Sequence, residues 1–338
     1  MVGGGKYNFL VLLSLRMLRL SGSTIPVEVF LASSAEYDSN ICENYLPSLG
    51  ATCRLLSDTL SATPQADKIS QYQYKVFAIL FSSFENVFFL DADAFVAFQP
   101  DDIFTSEPFI STGLVTWPDL WAESSSPIFF QIAELPVPPI RRFSTDSGAL
   151  LYSKAKHASS LLLATYYNYY GPDHYYPLLS QGAHGQGDKE TYLHAATAMR
   201  MDFWDVKTPL WEIGQWLDHL TFQRVGMGQH YPEDDLKLSP QDIYRNHHKL
   251  RPFDLHINNP WKLLPSSMFQ SLRPPTQHNS KQIRIMGTKE DMIETFGHDI
   301  EALMWDQVKL IACDLQIGCD EVKGYYENVF GKEIVVRM

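Results

Sequence analysis

The sequence predicts an α/β fold, with the pattern of a parallel, doubly wound sheet in its first hundred residues. Three observations carry this. Helix-like and strand-like segments alternate through the first hundred residues, the pattern of parallel strands joined by crossover helices. The apolar run Val87-Phe88-Phe89-Leu90 drives into Asp91 and Asp93, and the carboxyl edge of such a sheet is where open α/β folds bind ligands. The composition, 45% hydrophobic and 20% charged over 338 residues, supplies a core for one large domain or two smaller ones.

The elements follow in order. Gly3-Gly4-Gly5 stand before residues 9–20, "FLVLLSLRMLRL", whose periodicity suits an amphipathic helix packed on a sheet. A glycine turn at a helix start can present N–H groups to phosphate or ribose; a plain N-terminal tail is the competing reading. The helix is shorter than the about 20 apolar residues a membrane span needs, and Arg16 and Arg19 interrupt it. No small-residue cleavage site follows, so it does not read as a signal peptide. Residues 26–32 and 52–56 read as buried strands, 71–84 as a helix and 87–90 as a strand. Residues 127–139, with four prolines, read as a loop. A strand is expected over 148–152, then a helix over 154–170 that stops at Gly171-Pro172. Residues 173–187 are loop-like, 188–199 helical, 230–252 polar with scattered prolines, 254–257 a short strand and 298–311 a helix. No internal repeat and no clear linker divides the chain.

A formal net charge of −12 with no basic stripe argues against nucleic acid as the main partner. The four cysteines match no zinc spacing; Cys42 with Cys53 and Cys313 with Cys319 could bridge in an oxidising compartment or be small buried residues. No Asn-x-Ser/Thr sequon is present.

Two carboxylates a few ångströms apart repel unless a cation joins them. Hard oxygen ligands of this kind suit Mg²⁺ or Mn²⁺, with diphosphate oxygens completing the shell. Taken alone, the Asp-x-Asp stretch has three readings. One is a metal site for a nucleotide-sugar diphosphate. The second is an aspartyl-phosphate phosphatase, which normally wants Thr or Val where Phe95 stands. The third is a capped surface turn.

The longer context selects the first. "LDADAFVAFQPDDIF" resembles the signature of retaining GT-A glycosyltransferases. "SLRMLRLSGSTIPVEVF", "TDSGALLYSKAKHASSLLLATYYNYYG", "GQGDKETYLHAA" and "LHINNPWK" are similar, in the same order, to segments of the fungal α-mannosyltransferases that extend and branch mannan outer chains, glycosyltransferase family 71. Together they span roughly residues 3–262. The resemblance implies a GT-A fold, a Rossmann-like mixed sheet flanked by helices. Residues 1–270 would form the catalytic domain and 271–338 a C-terminal helical extension packed on it. It implies GDP-mannose as donor, Mn²⁺ (or Mg²⁺) as cofactor, an oligomannose acceptor and retention at the anomeric carbon. "GDKET" favours the α-1,2 branch.

The same resemblance distributes roles. Asp91, Asp93 and His256 would hold the metal. Gly3, Gly4, Gly5, Arg16, Asn258 and Lys262 would meet the nucleotide sugar. Asp188 would be the acidic group nearest the reacting sugar, with an N-cap as its plainer reading, and Asp146 the runner-up. Trp117, Asp119, Trp121 and Glu190 would line the acceptor groove; two core tryptophans are the plainer alternative. Arg141 and Arg142 read more readily as a solvated pair than as phosphate ligands. Members of the family are type II Golgi proteins, some in mannosyltransferase complexes, with an anchor, a stem and a strand before the glycine turn. Only Met1-Val2 precede Gly3, so the expectation is that strand, stem and anchor are missing. Two other functions remain open on sequence: a catalytically inactive glycan-binding paralogue or complex subunit, and the phosphatase.

Overall fold

The computed structural model describes residues 1–61, 69–139, 142–239, 241–243, 250–257, 277–278 and 281–331. Asn258, Lys262 and Arg141 lie outside the described residues.

The chain begins in a strand position. Val2 pairs in parallel with Phe30. Gly3 N–H donates to the Phe30 carbonyl, and Phe30 N–H to that of Met1, both at 2.9 Å. Residues 1–3 thus add an isolated parallel bridge beside Phe30. Gly3 must be a glycine here, since a Cβ would fall 2.8 Å from Val29 and 2.9 Å from Val11. The helix Asn8–Leu20 follows and buries nearly every apolar residue it has. The two arginines that interrupt its apolar run serve the fold. Arg19 donates to the carbonyls of Leu49, Ser23 and Ile25 and so ties together the loops below the helix.

β1 (Val27–Leu31) and β2 (Ala51–Leu55) pair in parallel, as the alternating pattern predicts. Beyond them the pairing is mixed, as the family resemblance implies. β3 (Asn86–Leu90), β6 (Phe143–Ser153), β5 (Leu114–Ala122) and β7 (Trp204–Asp205) form one sheet in the order β3-β6-β5-β7. β6 is antiparallel to both neighbours and β7 parallel to β5. A third, antiparallel sheet has the order β4-β10-β9-β8, from β4 (Ala94–Val96), β10 (Pro252–His256), β9 (Phe222–His230) and β8 (Trp211–Trp216). Apolar periodicity reports burial, not strand direction, so it could not foresee this.

The central sheet separates two apolar clusters. Val87 and Phe89 of β3, with Leu150 and Tyr152 of β6, face one cluster; Leu90, Ala149 and Leu151 face the other. Successive strand residues point to opposite faces, which fixes this division. A strand buried on both faces is apolar throughout, as residues 148–152 are. Residues 143–147, "FSTDS", are polar, and all but Phe143 are buried nonetheless.

Two segments expected to be loops are helical. Pro127–Ile132 is a helix with Pro at its first turn and the Ser126 hydroxyl accepting from Ile128 N–H. Proline is favoured at that position, so counting prolines misled. Within 173–187, Gly171–Tyr175 and Tyr176–Ser180 are short helical turns. Farther on, the helices Lys289–Phe296, Ile300–Asp314 and Cys319–Phe330 put Phe296, Trp305 and Tyr325, one from each, into the same cluster as the Asn8–Leu20 helix. Cys42–Cys53 and Cys313–Cys319 are disulfides. No described helix is long and apolar enough to cross a membrane.

Candidate active site

β3 carries the ladder just past its end: Asp91 N–H donates to the Gly148 carbonyl at 2.8 Å. The chain then turns, with Ala94 N–H on the Asp91 carbonyl, and leaves as β4. The turn lets Asp91 and Asp93 converge. The third member arrives by register. β10 pairs antiparallel with β4, His256 opposite Ala94, and Ile257 N–H donates to the Asp93 carbonyl. One ligand atom each from Asp91, Asp93 and His256 lies within 4.8 Å of the others.

His256 faces a carboxylate at each nitrogen, hydrogen-bonded at one and at ion-pair distance at the other. Nε2 is 3.1 Å from Asp93 Oδ1, and Nδ1 is 3.6 Å from Asp146 Oδ1. Asp146 is fixed in turn by Gly148 N–H (2.7 Å) and by Gln229 Nε2 (3.3 Å). Burial disfavours the imidazolium, but Asp93 and Asp146 outweigh it and hold His256 well above its usual pKa. The same pairing keeps Asp146 below the ordinary range despite burial. Gly148 leaves room for the ring, since a Cβ there would lie 2.6 Å from it.

On the other side stands Lys75, from the helix Gln73–Phe81. Its ammonium is 2.7 Å from Asp91 Oδ2, hydrogen-bonds the Ser147 hydroxyl (3.2 Å) and carbonyl (3.3 Å), and lies 3.9 Å from Asp188. Asp188, 2% exposed, accepts from the Ser147 and Tyr192 hydroxyls. Burial pushes its carboxyl up to about 6, with Lys75 opposing and Asp91 adding to the rise. Burial likewise raises Asp91, Lys75 resists, and Asp93 adds to the rise. Asp188 precedes the helix Thr191–Ala198, and Thr191 N–H donates to its backbone carbonyl while its side chain points to the site.

Asp91, His256, Asp146, Lys75, Ser147 and Asp188 line a pocket of about 270 Å³ together with Tyr72, Asp119, Trp121, Lys189 and Arg224, with Asp93 behind them. Asp119 pairs with Lys189 at 2.8 Å, and Trp121, 40% exposed, stacks on His184 with ring centroids 4.8 Å apart. Thr145, Asp146 and Ser147 of β6 form part of the pocket wall.

Other expected site residues lie elsewhere. Trp117 is fully buried, stacked on Phe253 at 4.9 Å with its N–H on the His230 carbonyl, so it is a core residue. Glu190 is turned into the protein and saturated by Arg142, Thr145 N–H and His194. Burial alone would raise its carboxyl, but Arg142 and His194 hold it far below the usual range. Arg142 is accordingly no solvated loop residue; it also reaches Asp205 at 3.8 Å. Arg16 fastens the first helix to the C-terminal region through Asp314 at 2.9 Å. Gly5 borders a separate cavity of about 450 Å³ with Lys6, Asp38 and Asn40, while Gly3 and Gly4 pack on Val11, Val29 and Glu36. Sequence reasoning missed Lys75, Ser147, Tyr72, Lys189 and Arg224. Ser147 lies in the "TDSG" string that carries part of the family resemblance, and that string was the signal for it.

The donors are two carboxylates and one imidazole, closely spaced and mutually charged, with the outer nitrogen of the imidazole already oriented by Asp146. That set fits a hard divalent cation. Fold and site thus define an α/β protein with a cluster of two carboxylates and an imidazole beside a carboxylate-lined pocket.

The family model Mannosyl_trans3, described as "Mannosyltransferase putative", matches residues 1–144 and 138–231. The chain belongs to this family. It is similar to alpha-1,2-mannosyltransferase MNN21 of Candida albicans, 34% identical over 92% of this chain and 57% of that one. MNN24 of the same organism is 41% identical over 70% of this chain and 38% of its own, and MNN2 of Saccharomyces cerevisiae 36% identical over 68% and 44%. The chain spans about half the length of the curated relatives it matches. Among solved structures, the galactosyltransferase LgtC in complex with donor and acceptor sugar analogues overlaps 61% of this chain and 71% of that one, at 14% identity and a TM-score of 0.39.

Proposed function

We propose that the chain is a retaining α-mannosyltransferase of the GT-A type. It transfers mannose from GDP-mannose to a mannose-containing glycan, with Mn²⁺ or Mg²⁺ held by Asp91, Asp93 and His256. One observation carries the reading: in a chain of a mannosyltransferase family, the Asp91–Asp93–His256 cluster opens onto a pocket whose floor is a second buried carboxylate, Asp188. The bound cation would neutralise the charge that develops on a departing diphosphate. The protein's own groups do the rest. Asp146 and Gly148 aim His256. Lys75 screens Asp91 from Asp188 and fixes both. Asp188 faces the sugar from a site dry enough to strengthen its field. Asp119, Lys189 and Trp121 offer an acceptor one apolar face and two charged hydrogen-bonding groups.

The relatives' printed α-1,2 activity supports that linkage. The two disulfides fit an oxidising compartment, which supports a lumenal, Golgi location. The test is GDP-mannose turnover by the purified chain with an α-mannoside acceptor, with and without Mn²⁺, beside Asp93→Ala. Metal-dependent transfer that disappears in the variant is expected. Donor binding without transfer to any α-mannoside would replace the enzyme with a glycan-binding paralogue.

A further inference from the structure

β8 and β9 form a hairpin that leaves the pocket at Arg224, one of its lining residues. The register pairs Gly214 with Arg224 and Trp216 with Phe222. Residues two apart on a strand share a face, so Trp216 and Phe222 stand on the same face as Arg224. They lie two residues, roughly 7 Å, farther from the pocket. The two rings meet, with centroids 5.2 Å apart. Trp216 is 67% exposed, whereas Trp117 and Trp305 are fully buried. An exposed indole at the mouth of a pocket is a surface that gains from being covered. The surroundings are polar: Arg224 pairs with Glu212 at 2.9 Å, and the hairpin turn holds Asp218 and His219 beside Leu220.

We propose that Trp216 and Phe222 form a distal acceptor subsite, where the indole stacks on the C–H face of a pyranose one or more residues away from the sugar that reacts. The assignment rests on the mannosyl-transfer reading. A pyranose has one flat apolar face and a rim of hydroxyls, which matches an aromatic face rimmed by Arg224 and Glu212. Leu220 at the hairpin tip is 93% exposed, but the two rings stand on the pocket side of it next to the charged Arg224–Glu212 pair, which a bilayer would meet poorly. The hairpin therefore makes the protein select longer glycans, because a chain seated at the pocket floor runs out past Arg224 onto the indole.

The experiment compares wild type, Trp216→Ala and Trp216→Phe on methyl α-mannoside and on linear mannobiose, mannotriose and mannotetraose. Wild type is expected to prefer the tetrasaccharide. Trp216→Ala should erase about tenfold of that preference in KM, with kcat little moved, and Trp216→Phe should keep most of it. Equal weakening on all lengths, or no change, overturns the subsite. Saturation-transfer NMR with mannotetraose and no donor runs beside the kinetics. Binding that is lost in Trp216→Ala supports the subsite even where wild type transfers to nothing, an outcome that instead sinks the transferase reading. No binding by wild type overturns the subsite. So does Trp216-dependent sedimentation with phosphatidylcholine vesicles without a glycan effect, which would make the hairpin a membrane contact.

Discussion

Gly148 is the residue on which the orientation of His256 depends most. Its backbone N–H fixes Asp146, and its missing side chain leaves the imidazole its place. Gly148→Ala puts a methyl where the ring stands, and β6 is clamped between β3 and β5, so the ring must move. Mn²⁺ affinity, followed by electron paramagnetic resonance of the free ion, should fall about 10- to 100-fold with far-UV circular dichroism unchanged. Unaltered affinity would mean that His256 does not ligate. Asp188 is tested differently. Asp188→Asn keeps the shape and one of the two oxygens that accept from Ser147 and Tyr192 but removes the charge. Transfer should vanish while GDP binding by calorimetry stays; substantial remaining turnover would reject Asp188 as the acidic group at the reacting sugar. Both aspartates of the Asp-x-Asp stretch were legible as residues. Lys75 was not, since a lysine inside a helix reads as solvated until the fold buries it against Asp91.

Among the elements, β6 shows what periodicity can and cannot read. Its apolar half was visible as a strand, and its polar half was not, because those residues are buried without being hydrophobic. The Pro127–Ile132 helix was hidden for another reason: proline starts helices as well as ending them, and only the Ser126 cap tells which. The helix Lys289–Phe296 carries a full capping box. Thr288 accepts from Asp291 N–H, and Asp291 accepts from Thr288 N–H, both at 3.1 Å. Thr288→Ala should cost about 1 kcal/mol. Chemical denaturation should show a lower midpoint at an unchanged slope, and an unmoved midpoint would show that this helix adds nothing to global stability.

For the whole molecule, the C-terminal helices share a core with the first helix, and a buried carboxyl sits at that junction. Glu301 is fully buried and accepts from Ile285 N–H. Arg284 is committed to Asp299 and approaches Glu301 only to 3.3 Å. Burial therefore wins and lifts Glu301 to about 7. A folded-state pKa above the unfolded one means that the folded form holds the proton more tightly. This stability is full below about pH 4.5 and is lost as pH rises through about 7. The loss is on the order of 3 kcal/mol. Glu301→Gln should remove it, so the variant gains on wild type in urea unfolding between pH 5 and pH 8. A gap that does not change with pH would show that Glu301 stays ionised.

The sequence by itself determined the α/β class, the Asp91–Asp93 pair at a strand end, the family and the order of its motifs. These are local properties, written in apolar period and in short strings of residue types. Only the tertiary structure decided the order of the strands in each sheet and the β4–β10 register that brings His256 to Asp93. It alone gave Lys75 to two carboxylates and took Trp117 and Glu190 away from the acceptor. Register, strand order and the facing of a side chain depend on partners far along the chain, and no local pattern carries them.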